Sequence, residues 1–170
     1  MRVTDSLTAE VFDASARLEL RLPVTWVRVG TTVRARMGLH NSHALPLILH
    51  AQVLIYKPWK FTVFLMLYDV HLRRLDVNGS HRNRTGVRET WIERTHKHRW
   101  SESLADADAY TPCDIPCIPL TNVTGEHYRQ VLEAFCGECG IALASGYRWS
   151  APDLNSRSDD DLDGGWHDKL

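Results

Sequence analysis

The sequence lacks an apolar run long enough to cross a membrane, which takes about 20 consecutive apolar residues. Its most apolar region, LPLILHAQVLIYKPWKFTVFLMLY, is interrupted by His50, Lys57, Pro58 and Lys60. The first residues, MRVTDSLTAEVFDASARLELRL, carry acids where a secretory signal has an apolar stretch. We therefore expect a cytoplasmic protein with no membrane partner, and in that compartment disulfides are not expected.

The signatures of several large enzyme classes are also missing. The chain has no GxxxxGK followed by Ser or Thr, no glycine-rich dinucleotide fingerprint and no GxSxG. Nucleotide hydrolysis by a P-loop and serine hydrolase chemistry are therefore set aside. The chain also shows no internal repeats, and no convincing linker precedes about residue 150.

What remains is the composition of one globular domain. The 170 residues are 44% hydrophobic and 24% charged, which is typical of a chain with a real core. We predict a single α+β domain over residues 1–150, in which an antiparallel sheet is flanked by an N-terminal and a C-terminal helix. Residues 151–170 hold six acids against two bases and are predicted to form an acidic, flexible tail.

Helical spacing marks both ends of this domain. Near the N-terminus, apolar residues recur at intervals of three and four after several N-cap candidates, and they are Leu7, Val11, Phe12, Ala14, Leu18 and Leu22. Near the C-terminus, GEHYRQVLEAFCGECG predicts a helix that Gly137 or Gly140 can end. Its apolar stripe consists of Tyr128, Val131, Leu132, Phe135, Cys136 and Cys139.

Strand patterns fill much of the region between the helices. VRVGTTVRARM alternates, and it predicts a half-buried strand with one apolar face made of Val27, Val29, Val33, Ala35 and Met37. LILHAQVLIY and FTVFLMLY are continuous apolar runs that predict two core strands joined by a turn at KPWK. His50 lies inside the first run and is expected to be a core histidine.

The stretch HLRRLDVNGSHRNRTGVRETWIERTHKHRW concentrates charge and imidazole. It holds four of the nine histidines, and eight Arg and Lys against three acids. Its two ends alternate like strands around the loop NGSHRNRTG, so His96 and His98 project from one face. If the strands pair as a hairpin, His81 and Asn83 lie near them. Such a basic surface predicts phosphate binding, with RNA or another nucleic acid as the partner.

Paired histidines on a basic face suit metal-independent cleavage of RNA. The reaction needs a base for the 2′-hydroxyl, an acid for the departing 5′ oxygen and cations for the phosphorane, and imidazole can act as either acid or base near neutrality. We assign His96 and His98 as acid and base, His81 as a third catalytic candidate, and Asp76 as an orienter of a histidine. No cofactor is expected for this chemistry. The predicted phosphate ligands are Arg73, Arg74, Asn83 and Arg94.

Two other uses of the same residues stay open. The basic face could serve a non-catalytic module that binds nucleic acid or a partner protein, which needs only Arg and Lys. Alternatively, His96 and His98 with Asp76 or His81 could hold a divalent ion and form a metal-dependent phosphodiesterase. The surrounding cationic residues disfavour the metal by repulsion. Trp91 and Trp100 are candidates for stacking on bases, although tryptophan is more often packed in a core.

The four cysteines form two close pairs, Cys113 with Cys117 and Cys136 with Cys139. In a reducing compartment, zinc is the usual reason for such pairing, so the spacing is compatible with a structural zinc site. Cys136 and Cys139 also continue the apolar stripe of the last helix, where cysteine acts as a small buried hydrophobe. A zinc ion there would stabilise the fold rather than take part in catalysis.

Three motifs, LRRLDVNGSHRN, THKHRW and FCGECGI, lie within roughly residues 60 to 142. Together they resemble an uncharacterised bacterial family of small domains with the pattern LxRxDxNxxHxN, then HxH and a closing helix. The resemblance implies a shared site and an association with mobile elements, toxin–antitoxin pairs or phage defence, and hence an antitoxin or other protein partner. The Cys pairs, and Trp100 where a tyrosine is usual, depart from the pattern. The matching residues are Arg74, Asp76, Asn78, His81, Asn83, His96 and His98.

The metal-free hypothesis makes a direct prediction for the purified protein. After treatment with EDTA it should cleave RNA but not matched DNA and leave cyclic phosphate ends, because only RNA supplies the 2′-hydroxyl nucleophile. Changing both His96→Ala and His98→Ala should abolish cleavage and leave RNA affinity nearly intact. Gel analysis of the products checks this, and RNA left intact by the EDTA-treated protein would contradict the metal-free reaction.

Overall fold

The structure is a computed structural model that describes residues 2–83, 90–92, 94–105, 107 and 109–155, without the side chains of Thr90 and Trp91. Its helices are α1 (Asp5–Val11) and α2 (Gly125–Glu138), with a 3₁₀ turn at Ala14–Ala16. Neither described helix is long and apolar enough to cross a membrane. The strands, in chain order, are β1 (Glu19–Leu20), β2 (Trp26–Val29), β3 (Thr32–Gly38), β4 (Leu47–Leu54), β5 (Lys57–Leu67), β6 (Val70–Val77), β7 (His81–Asn83), β8 (Thr90–Ile92), β9 (His96–Arg99), β10 (Ala109–Tyr110) and β11 (Ala142–Leu143).

Seven strands form one sheet in the order β10-β9-β6-β5-β4-β3-β2. Every neighbouring pair in this sheet is antiparallel. Two short pairs lie outside it: β1 and β11 are parallel, and β7 and β8 form an antiparallel hairpin. Because the chain combines a mostly antiparallel sheet with two helices, the predicted α+β class is confirmed.

One face of the sheet carries the hydrophobic core. The two continuous apolar runs form β4 and β5 as predicted, but only alternate residues are buried, and the turn lies at Ile55 and Tyr56 because KPWK belongs to β5. The predicted stripe of α2 is buried in the same core. The rings of Phe61 on β5 and Tyr128 on α2 lie 5.1 Å apart, and the Tyr128 hydroxyl donates to the Pro58 carbonyl at 2.7 Å. Burial raises the pKa of Tyr128 to about 12, so this hydroxyl keeps the proton that it donates.

The N-terminal helix is shorter than predicted. It ends at Val11, and Asp13 then caps the 3₁₀ turn through the backbone of Ser15. Arg17 has a left-handed φ of 48°, which breaks helical geometry. The chain is extended beyond that point, so Leu22, predicted on the buried stripe, is 58% exposed.

The predicted strand VRVGTTVRARM is in fact a hairpin. Gly30, with a φ of 56°, and Thr31 form a two-residue turn between β2 and β3, and glycine adopts this conformation at little cost. The turn breaks the alternation, so Val27 and Val29 lie on the face opposite Val33 and are 47% and 48% exposed. Because the residues alternate on both sides of this tight turn, the pattern resembles that of one continuous strand. The prediction of a single strand was wrong for this reason.

The second face of the sheet, which we call the open face, is partly exposed and carries polar as well as apolar side chains. Cross-strand partners form two rows on it that run from β3 to β9. The first row is Arg34, Gln52, Thr62, Asp76 and His96. The second row is Arg36, His50, Phe64, Arg74 and His98. His50 is therefore not the core residue expected from its apolar run, because its ring stacks on Phe64 at 4.8 Å on this face.

The part of the predicted tail that the structure describes packs on the domain. Pro152 is buried, and just before it the Trp26 indole donates to the Ser150 carbonyl at 2.7 Å. The Ser150 hydroxyl donates to the Val24 carbonyl. The domain thus extends slightly past residue 150, and residues 156–170 of the predicted tail lie outside the described residues.

A buried lysine on β9 ties the sheet to α2. The Lys97 side chain is 3% exposed, and its Nζ lies 2.8 Å from Asp114 Oδ2 and 2.6 Å from Glu138 Oε2. Burial lowers the pKa of Lys97, but hydrogen bonds to Asp114 and Glu138 raise it by more, so the ammonium group stays charged. This ion group fixes β9 from the core side of the sheet.

Removing this lysine should cost more stability than removing its exposed neighbour. Lys97→Met leaves the Glu138 carboxylate buried without its closest cation, a loss that costs about 3 kcal/mol of unfolding free energy. Arg99→Met is the matched control, because its side chain is 60% exposed and an exposed pair contributes under about 1 kcal/mol. Urea unfolding of both variants measures the difference, and equal losses would contradict the role given to Lys97.

Candidate functional site

Strands β6 and β9 bring four polar side chains together on the open face. Asp76 lies opposite His96, and Arg74 lies opposite His98. Alternation along each strand directs all four away from the core. The two strands therefore pair as the alternating pattern suggested, although the chain between them includes the β7–β8 hairpin.

The β7–β8 hairpin adds a third imidazole. The His81 ring centroid lies 5.6 Å from that of His96 and 4.6 Å from that of His98, and the latter two lie 5.1 Å apart. We call these three residues the histidine cluster. Both His96 and His98 are 1% exposed, whereas His81 is only partly buried. The cluster thus has one accessible member and two that are almost enclosed.

Backbone carbonyls fix the orientation of two of the rings. Nδ1 of His96 lies 2.8 Å from the Arg94 carbonyl, and Nε2 of His81 lies 2.8 Å from the Ala107 carbonyl. A carbonyl oxygen only accepts, so each of these nitrogens carries the hydrogen. In neutral rings, the lone pairs are then on Nε2 of His96 and Nδ1 of His81. Metal-binding histidines are commonly held by such a bond from the second ring nitrogen.

The Asp76 carboxylate joins the cluster to its neighbours. Its Oδ1 accepts from the Thr62 hydroxyl at 2.9 Å, and its Oδ2 lies 2.7 Å from Nη2 of Arg74. Nε2 of His96 and of His98 lie 3.4 and 3.6 Å from the same Oδ2. Burial raises the pKa of Asp76, but the contacts with His96, His98 and Arg74 outweigh burial and hold the pKa well below its usual range. The group is therefore a carboxylate.

The contact between Nε2 of His96 and the Asp76 carboxylate is favourable only if a positive charge lies on Nε2 or between the two atoms. Since Nδ1 of His96 carries the hydrogen, Nε2 of a neutral ring presents a lone pair to a carboxylate oxygen 3.4 Å away. Two electron-rich atoms at that distance repel each other. Either a proton on Nε2 or a cation between the two atoms turns the repulsion into attraction.

The histidine cluster could hold a metal ion. One nitrogen from each ring lies within 4.8 Å of the other two, and no other described residues form such a group of three or more His, Cys, Asp or Glu donors. A zinc–nitrogen distance of about 2.1 Å puts tetrahedral ligand atoms about 3.4 Å apart. The separations of 3.4 and 3.6 Å between the imidazoles and Asp76 Oδ2 already match this value. The nitrogens most distant from one another must move closer to bind.

A cavity on the open face leads to the cluster. Its volume is about 220 Å³, and its polar lining includes Gln52, Lys60, Thr62, Arg74, Asp76 and His96. Gly79 forms one wall, where an added Cβ would lie 2.9 Å from Cε1 of His96 and 3.1 Å from Cβ of Asp76. A small molecule or a phosphate group can therefore reach the cluster beside two cationic side chains.

Two of the predicted phosphate ligands lie away from the cluster. Arg73 is on the core side of β6, where its guanidinium carbon lies 4.1 Å above the Phe12 ring. Burial lowers the pKa of Arg73. Arg94 precedes β9 with an exposed side chain, and only its carbonyl contacts His96. Of the predicted arginines, Arg74 alone contacts Asp76.

The two asparagines of the motif have positional roles. The Asn83 amide donates to the Ala109 carbonyl at 2.7 Å and accepts from the Ala109 backbone at 2.8 Å, so both of its polar atoms hold β7 against β10. Asn78 adopts a left-handed φ of 52° and donates to the carbonyls of Trp59 and Ile118. These bonds turn the chain from β6 towards His81. Neither amide is directed at the cavity by any of these contacts.

Of the two tryptophans proposed to stack on bases, the structure describes the side chain of Trp100 alone. Trp100 packs against the hydrophobic core. The side chain of Trp91 lies outside the described residues.

The four cysteines are not part of the metal-binding group found among the described residues, and they differ in burial. Cys113 and Cys117 are exposed, whereas Cys136 and Cys139 are buried in the core. Burial raises the pKa of the Cys136 thiol to about 12 and shifts that of Cys139 in the same direction. Since zinc binds the thiolate, buried neutral thiols on α2 fit core packing better than metal binding.

Sequence reasoning missed several residues of the site. Thr62, Lys60 and Gln52 come from β4 and β5, which were interpreted as core strands. The intermediate exposure of every second residue gives these strands a polar face. Gln52 and Thr62 are polar residues within otherwise apolar runs, and that interruption was the available signal, whereas Lys60 belongs to the stretch KPWK that was predicted as a turn. Gly79 had no signal, because a close approach to His96 depends on the fold.

Comparisons with protein-family models, curated proteins and solved structures found no match to this chain. The site is therefore interpreted from its own geometry.

A methyl group on Gly79 should displace side chains of the site without removing any of the atoms that could bind a metal. Gly79→Ala pushes against the buried His96 ring and the base of Asp76, so we expect zinc affinity to fall by about 10- to 100-fold, as for other changes that misplace a ligand. Gly38→Ala is the matched control, because nothing lies within 4 Å of its added Cβ. Calorimetric titration with zinc measures both, and unchanged affinity in Gly79→Ala would mean that zinc does not bind at His96.

Proposed function

We propose that His81, His96, His98 and Asp76 bind a divalent transition metal ion and that the site cleaves phosphodiester bonds in nucleic acid. The observation that carries the proposal is the grouping of three imidazoles, one nitrogen of each lying within 4.8 Å of the other two, with the Asp76 carboxylate in contact at 3.4 Å from Nε2 of His96. A metal ion with three imidazoles and a carboxylate around it satisfies that contact.

The cationic side chains beside the cluster support a phosphate substrate. Arg74 and Lys60 line the cavity that opens onto His96, and Arg74 is 34% exposed at its side chain. The guanidinium can hold Asp76 and still present donors to a phosphate oxygen, since it has five N–H groups. The substrate's negative charge also reduces the repulsion between these cations and a bound metal.

Each protein group then has a defined task. The three imidazoles hold the metal through nitrogens that carry no hydrogen, and the Arg94 and Ala107 carbonyls keep two of the rings oriented. Thr62 holds the Asp76 carboxylate through Oδ1, which leaves Oδ2 towards the cluster. Arg74 binds the phosphate and compensates the charge that develops on it. When bound, a metal ion would activate water for attack on phosphorus and would polarise the phosphoryl oxygen.

A metal-free endoribonuclease is the second candidate, and one observation favours it too. A proton on Nε2 of His96 also satisfies the contact with Asp76, and it would make His96 an acid whose ring lies 5.1 Å from that of His98. His98 would then remove the 2′-hydroxyl proton. The 1% exposure of both rings weighs against this version, because each must reach a substrate oxygen directly.

A role as a toxin or phage-defence effector, held by an antitoxin, is the biological context that we propose from the motif resemblance. It is compatible with either version of the reaction. A non-catalytic nucleic-acid or protein-binding module is the reading that remains if no cleavage occurs.

Metal dependence decides between the two reactions. Protein treated with EDTA should leave RNA and DNA intact and regain cleavage when zinc or manganese is added, since the metal provides the nucleophile. Asp76→Asn should lower the restored rate by about 100-fold or more. His40→Ala is the control, because His40 is exposed and lies outside the cluster. Gel electrophoresis with analysis of the product ends gives the readout.

The other outcomes are equally informative. Cleavage of RNA alone in EDTA, with cyclic phosphate ends, would replace the metal reaction by the metal-free one. If no added metal gives cleavage but the protein still binds nucleic acid, the non-catalytic binding module is the hypothesis that stands.

A further inference from the structure

The open face carries cations far from the histidine cluster. Arg34 and Arg36 on β3 are exposed and stand in register with Gln52 and His50 on β4. Four strand-to-strand steps separate β3 from β9, or about 19 Å at a spacing of about 4.8 Å per step. A single phosphate bound at the cluster does not reach them. Their position suits a substrate that extends across the sheet.

We propose that the open face binds single-stranded nucleic acid, which lies across the strands from Arg34 and Arg36 to the histidine cluster. This inference rests on the proposed function and names the form of substrate that the same site accepts.

The charge of the open face fits an extended polyanion. Its two rows contain Arg34, Arg36 and Arg74, and Lys60 lines the cavity between β5 and the cluster. The one acid in these rows is Asp76, whose charge is already matched by Arg74 and the imidazoles. Arg34, Arg36 and Lys60 therefore offer positive charge at intervals along the path, and neither row holds an uncompensated acid.

Aromatic rings in the middle of the path can accept a base. Phe64 stacks on His50 with ring centroids 4.8 Å apart and planes 9° apart, and the His71 ring lies 4.7 Å from the Phe64 ring at a tilt of 51°. All three rings are only partly buried. Base–aromatic stacking needs no particular sequence and is the usual partner of a basic groove in single-strand binding. Exposed Val27 and Val29 extend the apolar surface beyond Arg34.

The depth of the cluster favours a single strand over a duplex. His96 and His98 are 1% exposed, and the way in is a cavity of about 220 Å³. A single strand can bend one phosphate into such a cavity while neighbouring bases stack outside it. A duplex is stiff over such a distance and keeps its bases paired, so it can use neither the cavity nor the rings.

The test is a binding measurement with single-stranded and double-stranded DNA and RNA of one sequence, labelled for fluorescence anisotropy, in EDTA. The wild-type protein should bind the single strands at least about tenfold more tightly than the duplexes. Arg34→Glu with Arg36→Glu should weaken single-strand binding by at least about tenfold and flatten the slope of log affinity against log salt by about 1.4. Phe64→Leu, which keeps the partly buried site filled, should weaken it about tenfold.

Arg2→Glu with Arg21→Glu is the matched control for net charge. Both arginines are exposed and pair with Glu102 and Glu19 away from the two rows, so single-strand binding should stay within about twofold of the wild type. Equal weakening by the two double variants would overturn the inference, because general charge would then explain binding. Tighter binding to the duplex, or unchanged binding after the Arg34 and Arg36 changes, would overturn it as well.

A small substrate separates this inference from the proposed function. The wild-type protein with zinc or manganese is assayed on bis(p-nitrophenyl) phosphate, which is too short to use the open face. If it hydrolyses this diester while the Arg34 and Arg36 changes leave strand binding unchanged, the inference fails and the proposed function stands. If strand binding behaves as expected and neither the diester nor the strand is ever cleaved, the open face is a binding surface and the proposed function fails.

Discussion

A single enclosed carboxylate, that of Asp76, is the interaction on which the site depends. It accepts from Thr62 on β5, contacts Arg74 on its own strand and faces His96 and His98 on β9. Three adjacent strands thus converge on one charge. Thr62 and Arg74 compensate it directly, and the imidazoles compensate it once a proton or a metal ion lies between them and the carboxylate. A neutral residue there would leave a guanidinium and two buried imidazoles without their common partner, so the constraint is structural as well as chemical.

Alternation along β9 lets one short strand serve both faces of the sheet. His96 and His98 face the open side, whereas Lys97 between them reaches Glu138 at the end of α2. The buried ion group on the core side therefore anchors the strand that carries the cluster. Polar groups on both sides of a strand are costly to bury, and a sequence accepts that cost where a site needs its strand held in place.

The predictions from sequence were correct where a property depends only on the residues of one segment. The β4 and β5 strands, the buried stripe of α2 and the shared face of His96 and His98 were predicted from local periodicity, which each segment carries in its own residues. The β2–β3 strand was wrong because Gly30 and Thr31 turn the chain within an alternating pattern. The N-terminal helix was predicted too long, because α1 ends at Val11 and Asp13 and Arg17 adopt non-helical conformations that apolar spacing does not reveal. Arg73 was given a phosphate-binding role although alternation already separated it from Arg74.

Which segments are apolar, which alternate, and which short stretch holds the imidazoles and arginines follow from the order of the residues alone. Which of those side chains meet depends on how the segments pack against one another. The β5–β6 register shifts at Leu65 and Met66, so counting from the turn puts Thr62 opposite the wrong residue, and a slip of one residue exchanges the faces. The approach of His81 to His96 depends on a hairpin and on backbone carbonyls at Arg94 and Ala107. Periodicity is a property of one segment, whereas register and convergence are properties of several segments packed together, and they are fixed only when the core is formed.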